Sequence, residues 1–139
     1  MSAPLWILLI AAVVMVALWL APVGFTEPPQ IEGRTSYVVD GDSLYLDGYK
    51  PQVRLWGVDA PEKGERGFQA ASETLSRFAQ GQRLTCRVIE PDRYGRSVAR
   101  CFLPDGREIN RLMIESGTAR EYHYFSKGFY SNQSAYSRS

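Results

Sequence analysis

The chain has 139 residues and a formal net charge of +1, with 16 Lys and Arg against 15 Asp and Glu. That length allows one ordinary domain, and the balance of charge excludes a globally basic nucleic-acid binder, so any affinity for phosphate must be local. One histidine and two cysteines are too few for a structural zinc site, and no nucleophile-elbow sequence accompanies His123 to support serine-hydrolase chemistry.

The N-terminus carries no charged residue over positions 3–25, and 5–20 is almost wholly Leu, Ile, Val and Ala. A helix of ~20 residues rising ~1.5 Å each spans the ~30 Å hydrocarbon core. Trp6 and Trp19 lie near its two ends, where interfacial aromatics are expected. Residues 1–25 therefore read as a transmembrane anchor. A cleaved signal sequence is the alternative, and it would make the protein secreted; the segment lacks a basic leader and a clear small-x-small site. Residues 26–33, TEPPQIEG, read as a polar linker, and 34–139 as the folded domain.

Residues 34–39 predict a first strand. Asp40-Gly41 is a hairpin signal because glycine accepts positive φ. Asp42 falls where strand pattern resumes, over 43–46, and aspartate is depleted in strands. Its presence there invites a functional reading. Asp47-Gly48 makes the next turn. The stretch VRLWGVDAPE, 53–62, is the most informative in the chain. Residues 53–58 read as a buried strand interrupted by one cation, Arg54. A guanidinium on a rigid strand is a good phosphate clamp, since its planar fork matches two phosphate oxygens. Asp59 and Glu62 follow just past the strand end, where loops carry function. A structural ion pair with Arg54 is the competing account of those carboxylates.

Residues 68–79 predict a helix, with Phe68, Ala71, Leu75 and Phe78 close to one stripe and Gly81 as its stop. Strands over 83–89 and 97–103 flank the polar turn EPDRYGR, and a short helix over 108–116 ends at Gly117. Five short strands with a helix between the third and fourth is the layout of an OB-fold barrel with two or three helices, here preceded by one transmembrane helix. Cys86 and Cys101 face each other if the hairpin turns at Arg93-Tyr94. They read either as a disulfide or as two buried thiols, and a disulfide would place the domain outside the cytoplasm.

The polar exceptions Asp42, Arg54, Asp59, Glu62 and Arg96 suit phosphodiester hydrolysis. Hard carboxylate oxygens suit Ca²⁺, a carboxylate can accept a proton from water, and guanidinium groups can stabilise transition-state charge. With VVDGDSLYL, VRLWGVDAPE, DRYGR and DGREIN in this order, the chain resembles the staphylococcal-nuclease (thermonuclease) family over residues 37–124. The resemblance implies an OB barrel that cleaves DNA and RNA internally with Ca²⁺ and leaves 3′-phosphates. It implies that Arg54 and Arg96 are catalytic arginines, that Glu62 is the general base, and that Asp42, Asp59 and the main-chain carbonyl of Ala60 hold the metal. Asp40 supports that site from behind. Tyr94 contacts substrate or packs on its hairpin. Tyr122 and Tyr124 are candidates for stacking a base, with core packing the favoured role. Members commonly continue into a long, charged C-terminal helix, and GFYSNQSAYSRS reads either as the first turns of one or as a frayed tail. The loop 63–67 is shorter than in the prototype, which bears on substrate access. The resulting expectation is a monomeric, membrane-anchored Ca²⁺-dependent nuclease acting on nucleic acid outside the cytoplasm. The competing expectation is a non-catalytic OB module that binds nucleic acid or a protein.

Overall fold

The structure is a computed structural model that describes residues 4–10, 24 and 26–136. Among the described residues, seven strands and four helices follow the N-terminal segment. In chain order they are β1 (Gln30–Asp40), β2 (Ser43–Leu46), β3 (Tyr49–Leu55), β4 (Val58–Asp59), α1 (Phe68–Ala79), β5 (Arg83–Pro91), β6 (Ser97–Phe102), α2 (Ile109–Glu115), β7 (Arg120–Glu121), α3 (His123–Ser126) and α4 (Phe129–Tyr136). Five strands close into a barrel in the order β1-β2-β3-β6-β5, and β4 with β7 makes a separate two-stranded ladder. The barrel ladders are antiparallel except β3 with β6, which is parallel. This is the expected OB-type barrel with helices. Most of the expected membrane anchor lies outside the described residues. Residues 5–10 are helical, and among the described residues no helix is long and apolar enough to cross a membrane.

Alternation fills the barrel. In β2, Leu44 and Leu46 point inward and Tyr45 outward; in β6, Ser97, Ala99 and Cys101 point inward. Val53 and Leu55 join them, and α1 and α2 add Ala71, Leu75, Ile109 and Met113 to the same core. Fully burying each large aliphatic side chain contributes roughly 1.5–3 kcal/mol. Cys86 and Cys101 are direct partners in the β5–β6 ladder and form a disulfide in the core, with Cα atoms 4.1 Å apart.

The fold departs from the sequence reading at informative places. The expected strand over 53–58 is two elements, β3 and β4, because Gly57 turns the chain with φ +70°. Asn110, fully buried, fixes that turn. Its Nδ2 donates to the Trp56 carbonyl at 2.9 Å and to the Ala99 carbonyl at 3.0 Å, while its Oδ1 accepts the Cys101 N–H at 3.0 Å. Strand β1 starts at Gln30, so half of the expected linker is paired with β5, Ile31 opposite Cys86 and Gly33 opposite Leu84. Gly41 does not have a positive φ. It is needed for another reason: a Cβ there would sit 2.6 Å from that of Ala71 and 2.7 Å from that of Ala60.

The C-terminal helix is tied down at two points. Glu121 accepts the N–H groups of Tyr130 at 3.0 Å and Ser131 at 2.9 Å, capping the positive end of α4. Burial works to raise the Glu121 carboxyl, but hydrogen bonds from Ser126, Ser131 and those N–H groups hold it below the ordinary glutamate value. Across the barrel, Arg100 grips Glu108 with two hydrogen bonds, at 2.9 and 2.8 Å, and the Tyr130 hydroxyl donates to the same carboxylate at 2.5 Å. Burial, reinforced by Glu108, pushes the Tyr130 phenol well above its usual range. Phe129 and Tyr130 pack on Trp56, with ring centroids 5.6 and 5.9 Å away.

Candidate active site

Asp42 stands at the centre of the polar residues. The Asp40-Gly41 turn, pressed against Ala60 and Ala71, delivers it to the start of β2. Its N–H donates to Asp40 Oδ1 at 3.0 Å. Its Oδ1 accepts the Ser43 hydroxyl at 3.1 Å, and its Oδ2 accepts the Ala60 N–H at 3.1 Å. Ser43 is the ladder partner of Arg54 in β3, which brings Arg54 Nη2 to 3.3 Å from Asp42 Oδ2. Arg54 Nη1 donates to the Leu55 carbonyl at 2.7 Å, so the guanidinium is held from both sides. Asp42 is only 8 % exposed. Burial raises its carboxyl from 3.8 to about 6; Arg54 and the Ala60 N–H pull it down, and the charge of Asp40 adds to the rise. A buried carboxylate with a second carboxylate beside it has a deficit of positive charge.

Arg96 is positioned by its own hairpin. Asp92 Oδ1 accepts the N–H groups of Tyr94 at 2.9 Å and Arg96 at 3.0 Å, and Oδ2 takes Arg96 Nε at 2.6 Å. Desolvation opposes ionisation of Asp92, but those bonds and the guanidinium hold it below the ordinary aspartate value. Ser97, the next residue, is the parallel partner of Val53. The closure of β3 on β6 pairs Arg54 with Val98, on the same face as Arg96 two residues earlier. Both arginines line one cleft of about 470 Å³, together with Trp56, Tyr94, Tyr122 and Phe125. The Tyr94 ring is covered by the guanidinium groups of Arg93 at 4.9 Å and Arg96 at 5.5 Å, and its hydroxyl accepts from Arg93.

Asp59, Ala60 and Glu62 do not line that cleft. They line a second one, of about 600 Å³, with Pro61, Glu65 and Arg120. Asp59 is the ladder partner of Arg120 and pairs with it at 3.1 Å, at side-chain exposures of 40 % and 85 %. Glu62 is exposed, and its N–H donates to Glu65 Oε1 at 2.8 Å. The single cluster expected from the sequence is thus two clefts. Asp42 joins them, through Arg54 on one side and Ala60 on the other. The reason for the division is the Trp56-Gly57 turn, which separates the strand carrying Arg54 from the strand carrying Asp59.

The aromatic residues also depart from expectation. Tyr122 and Tyr124 are not core residues. They form a surface cluster with Phe125, with ring centroids 4.9–6.2 Å apart, and Tyr124 is 69 % exposed. Phe125 and Arg120 went unread in the sequence, although three aromatics in four residues, YHYF, is a surface-aromatic signal when no apolar periodicity accompanies it.

For a hard divalent cation the donors fit in kind: the Asp42 and Asp59 carboxylates and the Ala60 carbonyl are all oxygen. The charge deficit around Asp42 and Asp40 fits as well. Among the described residues no three His, Cys, Asp or Glu side chains are gathered as a metal cluster.

Residues 52–139 match the family described as Staphylococcal nuclease homologue. The chain is 37 % identical over 134 residues to the "Succinoglycan biosynthesis protein ExoI" of Rhizobium meliloti, an alignment covering 88 % of this chain and 68 % of that protein. It is 32 % identical over 98 residues to an "Uncharacterized endonuclease" of Escherichia coli O157:H7, covering 69 % and 64 %. It is 30 % identical over 105 residues to a "Micrococcal nuclease" of Shigella flexneri, covering 68 % and 60 %. The chain thus spans roughly two thirds of the length of these relatives.

Proposed function

This chain belongs to the staphylococcal nuclease homologue family, and on that premise we propose that it is a Ca²⁺-dependent endonuclease that hydrolyses DNA or RNA to 3′-phosphates. The observation that carries the reading is the shared cleft of Arg54 and Arg96, with the buried Asp42 against Arg54.

In the proposed reaction a phosphodiester enters the cleft and meets both guanidinium groups. Arg54 is fixed by Asp42 and the Leu55 carbonyl, and Arg96 by Asp92. Neither needs large reorganisation as charge accumulates on the phosphoryl oxygens, which is what makes such donors effective. Water attacks phosphorus and the bond to the 5′ oxygen breaks; the leaving 5′ oxygen takes a proton from solvent water, giving a 3′-phosphate and a 5′-hydroxyl. Glu62 takes the proton of the attacking water. Asp42, Asp59 and the Ala60 carbonyl would hold the cation, which polarises a phosphate oxygen when bound. Glu62 lines the second cleft and the arginines the first, with the buried Asp42 contacting both through Ala60 and Arg54.

The charge-free N-terminal segment supports a membrane anchor, or a secretory signal if cleaved. The Cys86–Cys101 disulfide supports an oxidising compartment outside the cytoplasm. We place the protein there as a monomer acting on nucleic acid.

The test is cleavage of single-stranded DNA by the full chain in detergent, with Ca²⁺ and with chelator. Equal rates in both would remove the metal from the mechanism. Arg54→Ala and Arg96→Ala should each lower turnover by about 10²–10³-fold, the usual cost of losing one such donor. A change of less than about threefold would refute their assignment. Binding without cleavage in Ca²⁺ would favour a non-catalytic nucleic-acid module instead.

A further inference from the structure

Near the arginine cleft, β5 carries one residue more than β6 over the same stretch of ladder. Val88 faces Ala99 and Glu90 faces Val98, so Ile89 is left without a partner. The extra residue changes the side to which Glu90 points. Cys86 is buried and Val88 packs on the core, and simple alternation would turn Glu90 the same way. The bulge sets it instead against Val98, which faces outward between the inward Ser97 and Ala99. Bulges often re-aim a side chain beside a site. Val98 is also the parallel partner of Arg54. Glu90, Val98 and Arg54 therefore stand in one row across three strands, and all three line the arginine cleft.

The row puts a carboxylate on one wall and a guanidinium on the other, about 10 Å apart at the backbone, which is two strand spacings. Glu90 is exposed, and among the described residues it makes no ion pair. The cations around it are engaged elsewhere: Arg93 with the Tyr94 hydroxyl, Arg96 with Asp92, Arg54 with Asp42, and Arg87 over the Phe102 ring. An ionised carboxylate accepts hydrogen bonds and donates none, so it does not hold a phosphate. At a separation of about one screening length in physiological salt, it repels a phosphate on Arg54 only weakly.

The groups of a nucleic acid that can donate to Glu90 lie on its bases and sugars. Guanine alone among the common bases presents two neighbouring donors, N1–H and the N2 amino group, to match two carboxylate oxygens. Cytosine and adenine set an acceptor nitrogen beside their amino group, and thymine sets carbonyls on both sides of its N3–H. That edge is free only in unpaired strands. The aromatic rings lining the same cleft, Trp56, Tyr122 and Phe125, offer a base a face to stack on. Stacking tolerates every base, so the choice among bases falls to the polar group.

We propose that Glu90 reads the base in the cleft, accepting N1–H and N2–H of a guanine next to the phosphate held by Arg54 and Arg96. The inference rests on the nuclease reading of this cleft and narrows its substrate to unpaired strands at guanine.

The probes are labelled oligothymidylate strands with one central guanine, hypoxanthine, adenine or cytosine; hypoxanthine is guanine without the N2 amino group. Each is assayed twice with the full chain in detergent: for cleavage at the central site in Ca²⁺, and for binding by fluorescence anisotropy in chelator. The wild type should favour guanine over adenine and cytosine by about tenfold, within the range for a bidentate pair, with hypoxanthine between them. Glu90→Gln, which keeps one acceptor, should lose most of that ratio, and Glu90→Ala all of it. A general loss of folded protein lowers every signal together and leaves the ratios alone. Cleavage by the wild type without a guanine preference overturns the proposal, as does a preference that survives in Glu90→Ala. A guanine preference in binding with no cleavage removes the nuclease reading and leaves Glu90 as the base reader. Failure to bind or cut any of the strands overturns both.

Discussion

Replacing Asn110 with leucine, a residue of similar size, isolates the hydrogen bonds that fix the turn between β3 and β4. Three backbone groups use the Asn110 side chain: the Cys101 N–H and the carbonyls of Trp56 and Ala99. The Ala99 carbonyl also accepts the Trp56 N–H at 2.8 Å, so it keeps a partner in the variant. The Cys101 N–H and the Trp56 carbonyl lose the bond the side chain gives them. Each buried polar group left unmet costs about 1–3 kcal/mol, so Asn110→Leu should cost about 2–6 kcal/mol, out of the roughly 5–15 kcal/mol that holds an ordinary domain together. With an m-value of about 2 kcal/mol/M, the urea midpoint should fall by about 1 M or more. Turnover should fall too under conditions where the variant remains folded, because the released Trp56 carbonyl lies between the strands that carry Arg54 and Asp59. Urea unfolding followed by Trp fluorescence, with the disulfide intact, measures the first effect. A midpoint within about 0.3 M of wild type, on that same scale, would refute the claim that Asn110 holds the turn.

Other outcomes follow from the site and the barrel. Reduction of Cys86–Cys101, which closes a separation of 15 residues, should cost about 3 kcal/mol on the chain-entropy account; unfolding with and without reductant tests it, and equal midpoints would count against it. The Asp42 carboxyl is raised from 3.8 to about 6 in the folded chain, so the folded state takes up the proton more readily than the unfolded one. In chelator, its contribution should favour folding below about pH 4 and be lost as pH rises through about 6, a change of roughly 3 kcal/mol. Ca²⁺ needs the ionised form, so the rise in melting temperature on adding Ca²⁺ should be larger above pH 6 than below it; a Ca²⁺ shift independent of pH would exclude Asp42 as a ligand. Arg120→Ala frees Asp59 from an exposed ion pair worth about 0–1 kcal/mol, so Ca²⁺ affinity by calorimetry should rise by up to about fivefold. A fall in affinity would mean that Arg120 serves the site rather than competing for it.

The helix over Phe68–Ala79 was legible from its own residues, because one apolar stripe and a terminal glycine are local signals. The barrel strands were legible from alternation, and the Asp40–Asp42 turn from its odd aspartate. What the sequence hid depends on partners far along the chain. Residues 30–33 look like a linker until β5 is present to pair with Ile31 and Gly33. Val58 continues the apolar run of β3, and only the positive φ at Gly57 shows that the chain has turned. The division of the carboxylates and arginines between two clefts follows from that turn, and no spacing rule contains it. The pairing of Asp59 with Arg120 needs the β4–β7 register, and the meeting of Arg100, Glu108 and Tyr130 needs three segments docked together. Tyr122 and Tyr124 lie on the surface, and an aromatic residue outside any apolar periodicity is equally at home in a core or on a surface.

The parallel closure of β3 on β6 has a corollary. The ladder pairs Val53 with Ser97 and Arg54 with Val98, which puts Arg54 on the same face as Arg96, just before the start of β6. Helix α1 and the loop before it lie between those strands in the chain but form no part of that ladder. The exposed loop over residues 62–67 can lengthen or shorten while that register stays fixed. The rim of the second cleft is thereby uncoupled from the strand pairing that carries Arg54.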